Sequence, residues 1–161
     1  MITIRPAAAA DADILLELID ALADYEKLDR PDADARARLR RDGFGAQPLF
    51  RAYLGEIDGR PVAYAITYRT YSSFLARPTL FLEDLFVLPE ARGRGLGGAI
   101  LRHLVEEAVR DDCGRMEWVV LHWNQLAIDF YERMGAERLS EWHTYRLSRE
   151  RMQALLAEGP A

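Results

Sequence analysis

At 161 residues, 50% hydrophobic and 29% charged, the chain has ordinary globular composition and the length of one domain. Its net charge of −5, with arginine scattered rather than gathered in a basic stripe, sets nucleic acid aside as a partner. No apolar run is long enough to span a membrane, and the lone cysteine, Cys113, excludes an intrachain disulfide.

Met1-Ile2-Thr3-Ile4-Arg5 opens directly on a strand pattern with no signal peptide, so a cytoplasmic location is expected. Ile2 to Arg5 reads as a first strand closed by Pro6. Asp11 or Asp13 can cap a helix whose apolar face is Ile14, Leu15, Leu18, Ile19 and Leu22. Residues 33–41 predict a second, more polar helix. The period then changes: Phe50 to Ile57, an Asp58-Gly59 turn and Pro61 to Tyr71 predict a hairpin. Leu80 to Leu88 is a further strand. After a glycine-rich stretch comes an amphipathic helix with Leu96, Ile100, Leu101, Leu104, Val105 and Ala108 on one face. Met116 to Leu121 is a continuous apolar run, the pattern of a buried central strand. A helix from near Asn124 carries Ala127, Ile128, Tyr131 and Met134 inward and stops at Gly135. Two strand-like pieces, 136–139 and 142–147, precede a short C-terminal helix. The order β-α-α-β-β-β-α-β-α-β-β describes one α/β domain, a mixed sheet with helices on its faces.

The stretch Arg92-Gly93-Arg94-Gly95-Leu96-Gly97-Gly98 lies where a strand hands over to a helix. Glycines let the backbone approach a ligand and take positive φ at low cost. Free amides and the positive end of the helix dipole converge there, which suits a pyrophosphate, and Arg92 and Arg94 add charge. Gly93, Gly95 and Gly98 also satisfy G-x-G-x-x-G, and Glu117 lies about 20 residues on, where the dinucleotide fingerprint wants an acid. Three features oppose a nicotinamide reading. Pro89-Glu90-Ala91-Arg92 separates strand from first glycine, Glu117 falls inside the apolar run, and too little chain follows for a second half.

Arg92 to Gly97 also fits the pattern Arg/Gln-x-x-Gly-x-Gly/Ala of the GNAT superfamily of N-acetyltransferases. Leu82-Glu83-Asp84-Leu85-Phe86-Val87 resembles that superfamily's fourth strand, and Trp123-Asn124 through Gly135-Ala136 resembles its second signature. Ile4-Arg5-Pro6-Ala7, Tyr25-Glu26, Asp42-Gly43-Phe44-Gly45 and Thr70-Tyr71 narrow the likeness to the spermidine/spermine (diamine) and thialysine acetyltransferases, over residues 2 to about 147. The resemblance implies a single GNAT-type domain over 1–161, a mixed, mostly antiparallel sheet flanked by helices. It implies acetyl-CoA as co-substrate, no metal, a small cationic amine as acceptor, and a homodimer. The amides of Gly93, Gly95 and Gly97, with Arg92 and Arg94, would take the pyrophosphate. Leu85 and Val87 would pair the pantetheine arm through their backbone, and Asn124 would contact the cofactor near the thioester. Tyr131 would be the general acid and Glu83 the base or water-positioning group. Glu26 and Asp84 would be cation-binding carboxylates, with Ser72 and Trp123 as further candidates on the substrate side.

The chemistry asks for such residues. A lysine-like amine has a pKa of about 10.4, so freeing its lone pair at pH 7 costs roughly 4–5 kcal/mol, and a carboxylate can hold the ammonium and relay its proton. Glu83 and Asp84 are neighbours on a strand and point to opposite faces, so only one faces the reacting centre unless the strand bulges; Glu83 is favoured. Tyr131 lies on the inward face of its helix, where packing alone would also explain it, and Trp123 serves core packing or a dimer contact equally well. Ser72-Ser73 stand where polyamine-specific members carry an acid, and a serine cannot hold a second ammonium as a carboxylate would. An amino acid with one side-chain amine, such as thialysine or a lysine analogue, is therefore expected ahead of spermine. Arg77, if it faces the channel, would discourage long polyamines. His103 reads as a surface residue, and His122 and His143 have no metal-ligand spacing. A catalytically silent acyl-CoA-binding module on the same fold, and action on a peptide or antibiotic amine, are the alternatives.

Overall fold

The computed structural model describes residues 1–158, which divide into two compact units, Met1–Leu121 and a second from His122 onward. The first unit carries β1 (Ile2–Pro6), α1 (Ala12–Glu26), α2 (Ala33–Phe44), β2 (Arg51–Ile57), β3 (Arg60–Ser72), β4 (Arg77–Val87), α3 (Leu96–Arg110) and β5 (Arg115–Glu117). The strands lie in the order β1-β2-β3-β4-β5, antiparallel throughout except for the parallel β4–β5 pair. This is the mixed, mostly antiparallel α/β sheet that the sequence implied.

Alternation along the strands sends side chains to two cores. Leu54, Tyr64, Ile66 and Phe86 pack with Leu15 and Leu18 of α1 on one face. On the other lies α3, and there Gly55 has a steric reason: a Cβ would come within 2.8 Å of Ile100 Cδ1 and 3.1 Å of Leu96 Cδ1. Each fully buried leucine of these cores contributes roughly 1.5–3 kcal/mol. The β2–β3 hairpin turns on Asp58 and Gly59, both at positive φ (52° and 79°), the geometry a two-residue hairpin requires. Asp32 caps α2 by accepting from Ala35 N at 2.7 Å. Asp11 precedes α1 but does not cap it; its carboxylate accepts from Ala8 N at 2.8 Å and binds Arg5.

The run Met116 to Leu121 departs from expectation. Only Arg115–Glu117 is strand, it sits at the sheet edge, and Val119, Val120 and Leu121 are exposed. An apolar run becomes a central strand only when a ladder exists on both sides, and among the described residues β5 has β4 alone. The segments 136–139 and 142–147 likewise form no strand; the second unit holds α4 (Gln125–Arg133) and α5 (Arg149–Glu158). Among the described residues no helix is long and apolar enough to cross a membrane.

Candidate active site

The acidic pair of β4 sits on a break in register. Ile66 pairs with Asp84 and Thr67 with Leu82, so Glu83 is an extra residue, the signature of a β-bulge. The bulge undoes the alternation that would have separated the two acids. Asp84 shares the α1 face with its partner Ile66, and its Oδ2 accepts from the Tyr64 hydroxyl at 3.2 Å. Tyr68, two residues beyond Ile66 on that same face, donates to Glu83 Oε2 at 3.1 Å and stacks on Phe81 with ring centroids 5.1 Å apart. Glu26, half-buried at the end of α1, is the third carboxylate of the group. Burial, then repulsion from Glu83 and Glu26, raises the Asp84 carboxyl to about 6 against the Tyr64 hydrogen bond, which lowers it. Burial also raises Glu26. Burial and the neighbouring Glu83 push the Tyr68 phenol up to about 12, so it stays a donor at neutral pH. Among the described residues none of these three carboxylates forms an ion pair with an arginine or lysine.

The bulge also marks where β4 loses a neighbour. The parallel ladder to β5 covers Thr79, Leu80 and Phe81 and stops there, while the β3 ladder continues to Val87. Leu85 and Val87 therefore lie on a strand whose other edge is left unpaired among the described residues. Beyond Val87 the chain reaches the glycine loop. Gly93 (φ 74°) and Gly95 (φ 82°) are left-handed, which strains any side chain, and a Cβ at Gly93, Gly95 or Gly98 would meet no protein atom. Those glycines thus serve backbone conformation and an open approach, not internal packing. The first intrahelical bond of α3 runs from Ala99 N to Gly95 O at 3.0 Å, leaving the amides of Leu96, Gly97 and Gly98 without an intrahelical acceptor. Open space, outward amides and a helix N-terminus fit a pyrophosphate-bearing coenzyme.

The two loop arginines separate. Arg94 is exposed beside the glycines. Arg92 is drawn inward: its guanidinium lies 4.6 Å from the Tyr25 ring centroid and 5.6 Å from that of Phe86, and Nε donates to Val87 O at 3.0 Å. It ties the loop to the end of β4 and to α1.

In the second unit, Asn124 is the N-cap of α4, its Oδ1 accepting from Ala127 N at 3.3 Å. Tyr131 lies on α4 with its ring 5.1 Å from that of Phe130. Gly135, at φ 87°, ends the helix as expected, with Ala136 N donating to Tyr131 O at 3.1 Å. Trp123 immediately precedes the cap and is half exposed, at 48%.

Two substrate-side expectations change. Ser72 is buried, and its hydroxyl accepts from Leu75 N at 3.2 Å; it ties the β3–β4 turn and is not presented to a ligand. Arg77 is paired with Asp112 at 2.9 Å, so its charge is answered by the protein rather than offered to a channel. The sequence reading missed Tyr64 and Tyr68, whose role depends on cross-strand register. It also missed Tyr25 as the seat of Arg92. Among the described residues no group of three or more His, Cys, Asp or Glu side chains is placed to hold a metal ion.

The sequence and the fold both match known proteins. The model of the acetyltransferase (GNAT) family matches residues 15–136. A thialysine N-epsilon-acetyltransferase of Bos taurus is 36% identical over 96% of this chain and 96% of its own length. An L-ornithine N5-acetyltransferase of Arabidopsis thaliana is 38% identical over 57% of this chain and 40% of its own. Among solved structures, an integron cassette protein from the mobile metagenome of V. cholerae superposes with a TM-score of 0.82 at 20% identity, covering 96% of this chain and 97% of that one; that likeness concerns the fold.

Proposed function

Because the chain belongs to the acetyltransferase (GNAT) family and so is an acetyl-CoA-dependent N-acetyltransferase, we propose that it acetylates the primary amine of a small cationic molecule, a thialysine- or lysine-like amino acid ahead of a polyamine. The observation that carries this reading is the cluster of Glu26, Glu83 and Asp84, three carboxylates that among the described residues form no ion pair and lie by an unpaired strand edge and an open glycine loop. An incoming ammonium relieves that repulsion, so the cluster favours a cation over a neutral acceptor. Relatives named for thialysine and ornithine, each an amino acid with one terminal amine, support the ranking, and Ser72 supplies no carboxylate for a second ammonium.

In this mechanism the amine attacks directly in a ternary complex. Acetyl-CoA, when bound, supplies the thioester. Glu26 and Asp84 hold the ammonium; Glu83, directly or through a water, takes its proton and frees the lone pair. The amides of the glycine loop, with Arg94, hold the pyrophosphate, and the open edge at Leu85 and Val87 accepts the pantetheine arm. By the family resemblance Asn124 would contact the coenzyme near its thioester, and Tyr131 would act as the general acid. Proton transfer from a phenol of pKa about 10 to a thiolate of about 8.5 is uphill by roughly 2 kcal/mol, so the step needs a site that desolvates the thiolate, or a phenol that donates a hydrogen bond and keeps its proton. The working unit is proposed to be a cytoplasmic homodimer, sedimenting at twice the 18.4 kDa chain mass.

Following thiol release from acetyl-CoA against thialysine, lysine, ornithine, putrescine and spermidine tests the proposal. The amino acids should lead. If no amine accelerates release, the small-amine reading fails and a silent coenzyme-binding module takes its place. Tyr131→Phe should lower kcat by about 10²-fold or more, in line with loss of a general acid; unchanged turnover removes Tyr131 from that role.

A further inference from the structure

Tyr64 and Tyr68 project from β3 onto the face where the two acids of β4 meet. Each phenol takes one acid: Tyr64 donates to Asp84 Oδ2 at 3.2 Å, Tyr68 to Glu83 Oε2 at 3.1 Å. Tyr64 is wholly buried, at 0% exposure, and pairs in register with Phe86 rather than with the aspartate it bonds. The bulge at Glu83 is what turns both acids toward the two tyrosines. We propose that Tyr64 and Tyr68 are positioning residues for amine recognition. Each donates to one of two adjacent carboxylates and orients it, so that the carboxylate's remaining lone pairs can accept from the substrate ammonium.

The physical need is plain. Two adjacent carboxylates beside a third repel, and burial compounds the repulsion, so without donors the inner one takes up a proton and loses its hold on a cation. The groups around Asp84 are Glu83 on its own strand, Tyr64 on β3 with Tyr68 beyond it at Glu83, and Glu26 from α1. Arg92 lies over Phe86 and Tyr25 and forms no ion pair with the cluster among the described residues. The two phenols each donate to one acid of β4, and they differ in consequence. Tyr64 governs the inner acid, whose carboxyl already stands at about 6, near working pH. Tyr68 governs the outer one.

This inference rests on the amine-acetylation reading, so its test includes a readout that does not need turnover. Carboxyl carbon NMR of the ¹³C-aspartate-labelled protein, with Asp84→Asn assigning the signal, follows Asp84 directly. Tyr64→Phe keeps the ring and removes only the hydroxyl. The titration of Asp84 should move to higher pH by about one unit, a tenfold change in proton affinity, as expected for loss of a hydrogen bond to a charged acceptor. With a competent amine, the acid limb of kcat/KM should move by the same amount and the amine KM at pH 7 should rise severalfold, while the acetyl-CoA KM holds. Tyr68→Phe should lower kcat about three- to tenfold without moving the Asp84 signal. An Asp84 titration unchanged in Tyr64→Phe overturns the proposal. Should Tyr64→Phe fold poorly, Tyr68→Phe decides alone: kcat equal to that of the parent overturns it. Failure of every amine to turn over, with the NMR shift present, would instead sink the substrate reading and leave the phenol–carboxylate pairing standing.

Discussion

On the α3 side of the sheet, Glu107 is almost wholly buried yet meets Arg51 and Arg69, each at 2.9 Å, and the hydroxyl of Tyr53. On the α1 side, Asp84 meets a tyrosine hydroxyl too, but its other charged neighbours are Glu83 and Glu26. The outcomes are opposite. Burial presses the Glu107 carboxyl upward, but Tyr53, Arg69 and Arg51 together hold it below the ordinary glutamate value. Asp84 is left near 6. One sheet thus carries a neutralised acid that ties strands to a helix and an uncompensated acid cluster that the fold tolerates at a loss. On the proposed reading that cluster receives the substrate ammonium, in keeping with the clustering of perturbed acids at functional sites.

The largest effect should come from breaking the neutralised site. Glu107→Ala takes the acceptor from the buried Tyr53 phenol and leaves Arg51 and Arg69 with Asp111 alone, and should cost about 3 kcal/mol of stability, since the buried partner of this network is lost. A Tm lower by roughly 6–12 °C in calorimetry checks it. The acetyl-CoA and amine KM of the remaining folded protein should not change. A loss below about 1 kcal/mol would mean that Glu107 is no hub and the contrast fails.

Asp84→Asn should act with the reverse sign. The folded-state value of about 6 lies above the ordinary 3.8. Between those values the folded chain holds a proton that the unfolded chain has released, so stability falls as pH rises through that window. Asparagine removes the charge and can still accept from Tyr64. The variant should match the parent near pH 4 and exceed it by about 2–3 kcal/mol at pH 7.5, read by urea denaturation at the two pH values. Its amine KM should rise about tenfold or more. A variant less stable than the parent at pH 7.5 would show that Asp84 is compensated after all.

These two acids also mark what the sequence made legible. Features carried by a few contiguous residues were readable: the Asp58-Gly59 turn, the glycine loop, a helix start near Asn124 and Gly135 as its stop, because local sequence alone encodes them. Glu83, Asp84 and Glu26 were readable as candidates through motif resemblance, yet their shared face was not. It depends on a bulge between strands, which no single strand's pattern reveals. Glu107 was invisible for a related reason: beside Glu106 on a helix it looks like a solvated charge until Tyr53, Arg51 and Arg69 arrive from two distant strands. The run at Met116 misled because hydrophobicity says that a segment wants covering, not which neighbour supplies it.

The smallest effect sharpens the comparison most, because the same chemical change is made on both faces. Tyr53→Phe removes one donor from Glu107, as Tyr64→Phe removes one from Asp84. Glu107 keeps both guanidiniums, so the loss should be that of a single hydrogen bond, about 1 kcal/mol, with the pH profile for amine acetylation unmoved. Asp84 has no cation in reserve among the described residues, so its loss appears as a shift in titration. Measured together, urea midpoints and kcat/KM against pH separate the two responses. If Tyr53→Phe moves the acid limb as far as Tyr64→Phe does, the two faces are not independent, and the distinction between a structural and a reserved carboxylate would have to be given up.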